Sequence, residues 1–192
     1  MRIQIMKERL LKYVIIFSIS IFLPCFSFEI PRAETAPETS SISNRINEAA
    51  IHALDNANYS NQNGIVKLYG IRTNGPDTKN GNWACAKVVT IVLKEVGVIN
   101  KPYVGVRHVE SALNNWTKIE KKDDLLPGDI IVWVSRFKGR DDKKCTGGGN
   151  CHVGIVTDKG YFHNSPITNK PTFGGISLWG FSFKIGYRYP KE

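Results

Sequence analysis

Apolar residues change their period once along this chain, and that change limits its fold more than any other feature. Ile46, Ala49, Ala50, Ala53, Leu54 and Ala57 recur at helical spacing, with Ser43 or Asn44 available as an N-cap. A second helical stretch runs from Trp83 to Val96. Asn82 is placed to cap it, Gly97 to end it, and Cys85, Val88, Val89, Val92 and Val96 share one face. Val109, Ala112, Leu113 and Trp116 predict a short third helix. Beyond the turn Leu126-Pro127-Gly128-Asp129 the pattern becomes that of strands: Ile130–Val134, His152–Thr157, Tyr161–Asn164, Ile176–Trp179 and Lys184–Tyr189. Helices first and an antiparallel meander afterwards predict an α+β domain. The segment from Gly64 to Gly81 reads as a long irregular loop.

The N-terminus reads differently. Arg2, Lys7, Arg9 and Lys12 precede an apolar run from Tyr13 to Leu23, which is too short to span a bilayer of about 20 residues. A basic start, a short apolar core and a polar continuation predict a secretory signal peptide over 1–27, cleaved after Ser27. The alternative is an uncleaved N-terminal anchor. Thr, Pro and Ser then dominate a linker, assigned to 28–43, and the folded domain is assigned to 44–192. Such a protein is expected to be secreted or periplasmic, with no stable membrane association after cleavage.

Loss of residues 1–27 removes four basic residues and one acidic residue, lowering the net charge from +9 to about +6. That charge suits an anionic partner such as cell wall, lipid headgroups or nucleic acid. The basic residues are scattered, without the dense cluster of a nucleic-acid reader, and no nucleic-acid partner is expected. Three cysteines remain. Cys145 and Cys151 flank a flexible Thr-Gly-Gly-Gly-Asn stretch and are expected to form a disulfide, leaving Cys85 as the free thiol. A zinc site using Cys145, Cys151 and His152 or His163 is the alternative. It lacks paired Cys-x-x-Cys elements, so neither metal nor cofactor is expected.

Cys85 and His152 carry the chemistry. As the third residue of its helix, Cys85 lies where free backbone N–H groups and the positive end of the helix dipole stabilise a thiolate and an oxyanion. A histidine at the start of the strand Cys151-His152-Val153-Gly154-Ile155-Val156 is a candidate base for that thiol. The third, orienting group depends on the hairpin. A three-residue loop, Asp158-Lys159-Gly160, pairs Gly154 with Asn164 and puts Asn164 on the face of His152. A two-residue loop puts His163 there instead. The reading favours Asn164. Taken singly, a cysteine on an apolar helix face is more often core, and a strand histidine more often structural. Their order and the polar residue that follows favour catalysis. Asp129 reads as a turn residue. Trp83, Tyr161 and Trp133 are candidates to line a cleft, although aromatic residues more often pack a core.

Three runs resemble the NlpC-type and CHAP-type cell-wall cysteine peptidases of the papain-like superfamily. They are WACAKVVTIVLKEVG from Trp83, LLPGDIIVW from Leu125 and HVGIVTDKGYFHNS from His152. The resemblance covers residues 69–189. It implies a nucleophile helix packed on a small curved antiparallel sheet, with peptidoglycan as the partner. The implied activity is cleavage of an amide bond in the stem peptide or cross-link, by an endopeptidase or amidase. Cys85 matches the nucleophile, His152 the base, and Asn164 the third position. Tyr69 falls in the loop where many members place a tyrosine near the site. Two rivals remain: a non-catalytic wall-binding or inhibitory domain on the same scaffold, and a secreted cysteine protease or transglutaminase-like enzyme acting on proteins.

Overall fold

The computed structural model describes residues 40–60, 65–136, 145, 151–175 and 180–190. The proposed signal segment, most of the linker and the strand expected at Ile176–Trp179 lie outside the described residues. The described chain is a mixed α and β structure with antiparallel sheets. No described helix is long and apolar enough to cross a membrane.

The first helix, α1 (Ile42–His52), begins earlier than its apolar pattern suggests. Ser41 is the N-cap, its Oγ accepting the Asn44 N–H at 3.3 Å, so neither Ser43 nor Asn44 caps it. The helix therefore starts inside the segment assigned to the linker. The stretch after it is not one irregular loop. β1 (Asn58–Ser60), β2 (Ile65–Leu68) and β3 (Ile71–Arg72) form a small antiparallel sheet. A kinked 3-10 segment, Pro76–Gly81, follows.

The helix carrying Cys85 is α2 (Cys85–Glu95), buried along almost its whole length through Ala86, Val88, Val89, Thr90, Ile91, Val92 and Leu93. Thr90 is tolerated there because its hydroxyl donates to the Ala86 carbonyl at 2.7 Å and accepts the Tyr103 N–H at 2.9 Å. Gly97 has φ +86, as its helix-ending role requires. A short α3 (Val106–Ala112) follows.

The main sheet contains β4 (Thr117–Ile119), β5 (Ile130–Ser135), β6 (Cys151–Thr157), β7 (Gly160–Asn164), β8 (Pro171–Gly174) and β9 (Phe181–Arg188). Its spatial order is β4-β9-β5-β6-β7-β8, antiparallel throughout. Val132, Val153, Ile155 and Phe162 meet the helices in one core. Asp129 is a structural residue of the turn before β5. Its carboxylate accepts the Leu126 N–H at 2.7 Å and two bonds from the Arg188 guanidinium, at 2.8 and 2.9 Å.

The hairpin between β6 and β7 corrects the expected register. Thr157 pairs with Gly160, Val156 with Tyr161, and Gly154 with His163. The loop thus has two residues, Asp158 and Lys159. The Thr157 hydroxyl closes it, donating to the Gly160 carbonyl at 2.6 Å and accepting the Lys159 N–H at 3.2 Å. A one-residue shift moves every side chain of β7 to the other face. His163, not Asn164, shares the face of His152.

Candidate active site

The helix carrying Cys85 starts later than its apolar pattern suggests. Asn82 does not cap it. Its amide Nδ2 donates instead to the Lys79 carbonyl at 3.0 Å, and the N-cap is Ala84, which brings no side-chain hydrogen bond. Cys85 is therefore the first helical residue rather than the third. The chain reaches it through three successive left-handed residues, Lys79 (φ +48), Asn80 (φ +56) and Gly81 (φ +102). Such backbone costs of order 1–3 kcal/mol per non-glycine residue unless its surroundings hold it. Here the Gly75 carbonyl accepts the N–H groups of Thr78 and Asn80, and the Gly81 carbonyl accepts Asn164 Nδ2 at 2.9 Å.

The thiol is half-buried and free. Burial pushes it above its ordinary value, against opposing hydrogen bonds from the N–H groups of Val153, Ala86 and Cys85 itself. Desolvation thus outweighs the helix terminus, and the resting group is a thiol rather than the thiolate expected from its position. Its placement follows from the strand geometry. Val156 donates its N–H to Asp129 on the β5 side at 2.8 Å. N–H directions alternate along a strand, so Val153 sends its own toward β7. The β6–β7 ladder begins only at Gly154 and His163. The Val153 N–H therefore lies just beyond the ladder, close enough to Cys85 to oppose the upward shift of its thiol.

His152 is the residue before Val153, and alternation turns its side chain to the other face of β6. There its Nε2 lies 3.1 Å from His163 Nδ1. Trp133, Phe181 and His163 surround the ring at centroid distances of 5.6, 5.8 and 5.1 Å. Burial, then the neighbouring imidazole, lower His152 from 6.5 to about 3. His163 is also lowered by burial, with a backbone hydrogen bond at Asn164 opposing the shift. Two neutral rings share one hydrogen bond, one donating and one accepting.

The remaining candidates fall into place around this pair. Asn164 is almost fully buried. It ties β7 to the loop before Cys85 and leaves its Oδ1 without a partner among the described residues. Tyr69 donates its hydroxyl to the Ala49 carbonyl at 2.6 Å, which commits it to α1. Trp133 is fully buried beneath the two histidines, and Tyr161 packs edge-on against it at 5.6 Å, so both act in packing. Trp83 is 40% exposed and carries the Lys79 ammonium 3.5 Å above its ring. Cys145 and Cys151 form the expected disulfide, which occupies both sulfurs that the zinc alternative needed. Among the described residues no cluster of His, Cys, Asp and Glu is arranged to hold a metal ion. The signal that would have found the His152–His163 contact was the threonine at the hairpin end, which closes a two-residue loop.

No family model matches this chain, and no curated protein matches it. Among solved structures, NlpC2 from Trichomonas vaginalis is similar at a TM-score of 0.39 and 17% identity, over 72% of this chain. The chain spans 59% of the length of that protein. A likeness at this level does not establish the fold family.

Proposed function

We propose that this protein is an exported, papain-like cysteine hydrolase that cleaves an amide bond in the stem peptide or cross-link of peptidoglycan. The observation carrying the chemistry is that the Val153 N–H, which opposes the rise of the Cys85 thiol, lies one residue from a histidine whose Nε2 is engaged by His163. That engagement leaves His152 Nδ1 as the ring nitrogen to serve the thiol. Alternation along β6 turns the His152 side chain away from the face packed on the helices, so in this reading the ring reaches the thiol past the end of the β6–β7 ladder. His152 takes the Cys85 proton as the sulfur attacks the amide carbonyl. The N–H groups of Cys85 and Ala86 receive the oxyanion, and the imidazolium returns its proton to the leaving amine. Water then hydrolyses the thioester. His163 orients His152, and Asn164 holds the loop before the nucleophile. The resemblance of the three sequence runs to wall peptidases supports the substrate class. The basic, then apolar N-terminus and the disulfide support export.

The raised thiol and the lowered imidazole favour a second reading, a wall-binding domain in which Cys85 is inert. Mass spectrometry of fragments released from purified peptidoglycan, beside Cys85→Ala, separates the two. New amine and carboxylate termini made only by the wild type establish the hydrolase and identify its bond. Folded wild type that binds wall and releases nothing establishes the second reading.

A further inference from the structure

The approach to Cys85 carries two exposed aromatic rings that the chemistry above does not use. Trp83 is 40% exposed, with Lys79 Nζ 3.5 Å from its ring centroid. Tyr59, on β1, is 41% exposed, with Lys170 Nζ 5.8 Å from its ring centroid. The loop and the turn that carry the two lysines touch. A Cβ built on Gly81 would lie 2.8 Å from the Asn169 backbone oxygen and 3.2 Å from Asn169 Cβ, so the loop before Cys85 touches the turn between β7 and β8. Lys170 follows Asn169 in that turn, and Ile167 within it is 80% exposed. Among the described residues neither Lys79 nor Lys170 has an ion-pair partner, whereas the nearby Lys87 is paired with Asp77 at 2.6 Å. Lys79 has a left-handed backbone, and its ammonium lies over Trp83, two residues before Cys85.

We infer that Lys79–Trp83 and Lys170–Tyr59 form a substrate surface that selects carboxylate-bearing muropeptides. The ammonium groups meet the free carboxylates of the stem peptide, and the ring faces meet its aliphatic and sugar C–H groups. This inference rests on the hydrolase reading for its substrate class. An ammonium lying on a ring remains free to donate outward. An uncharged amidated stem peptide offers it no counter-charge, so amidation discriminates against binding.

The test uses the full chain carrying Cys85→Ala, titrated with a purified disaccharide–tetrapeptide bearing free carboxylates and with its carboxamide form. Calorimetry is run at low and high salt. Binding of the free acid is expected to exceed that of the amide, and Lys79→Gln and Lys170→Gln to weaken it by roughly three- to ten-fold each. Lys79→Arg, which keeps the charge, is expected to retain affinity. Equal affinity for the two ligands, or lysine variants that bind as tightly as their parent, overturns the inference. In the active chain, Lys79→Gln is expected to raise KM and leave kcat near wild type. Cleavage with unchanged KM removes the surface and keeps the hydrolase. Lysine-dependent binding without cleavage by the wild type keeps the surface and removes the hydrolase.

Discussion

At the scale of single residues the question is where the proton of Cys85 resides. Burial raises the Cys85 thiol and lowers the His152 imidazole to about 3, so both groups rest neutral rather than as thiolate and imidazolium. In the proposed hydrolase, proton transfer would accompany attack. Alkylation of Cys85 by iodoacetamide, followed on its tryptic peptide, is expected to be slow at pH 7. It should rise about tenfold per pH unit into the range above 9, because only the thiolate reacts. A fast plateau already present near pH 6 would show a pre-formed ion pair. The third group is tested by a pair of substitutions. His163→Ala removes the partner of His152 Nε2 and should lower kcat about 100-fold or more. Asn164→Ala removes a bond to the Gly81 carbonyl, should cost about 1 kcal/mol of stability, and should leave kcat within several-fold. The reverse pattern in steady-state kinetics and denaturant melts would restore Asn164 as the orienting group.

At the scale of elements, β6 depends on an absent side chain. A Cβ on Gly154 would lie 2.9 Å from the Trp133 ring and 3.0 Å from the Phe162 carbonyl. Gly154→Ala therefore overpacks the layer beneath both histidines, and should cost about 1–3 kcal/mol and lower activity by displacing Trp133 against His152. Urea melts and turnover rates check this, and a variant of wild-type stability would mean that Trp133 has room to move. Elements with strong periodicity were legible in sequence: α2, β5 and β6 lie within a few residues of their apolar patterns. What escaped was set by local hydrogen bonds that no period records. The Thr157 hydroxyl shortened a hairpin by one residue and thereby exchanged Asn164 for His163. The left-handed residues before Cys85 delayed its helix by two residues. The disulfide was readable because cysteines are scarce, and the flanking patterns placed Cys85 near a helix start and His152 near a strand start. Their mutual orientation was not, because it depends on which face each strand residue takes.

At the scale of the whole molecule, the buried imidazole pair couples folding to pH. The folded chain binds a proton at His152 only near pH 3, whereas the unfolded chain does so near 6.5. Between those values the unfolded state holds more protons, so stability rises with pH across the window. The contribution of His152 is complete above pH 6.5 and is lost as the pH falls toward 3, at a slope of up to about 1.4 kcal/mol per pH unit. His163, lowered by burial, adds in the same direction. For a folded unit of this size each kcal/mol moves Tm by about 2–4 °C. The wild type should therefore lose up to roughly 3–6 °C per unit between pH 6 and pH 4 from this ring alone. His152→Gln keeps a polar group in the layer and removes the titration, so its Tm should vary less over the same range. Parallel Tm profiles for the two proteins would mean that His152 titrates alike in both states, and would remove the buried neutral pair on which the proton-transfer argument depends.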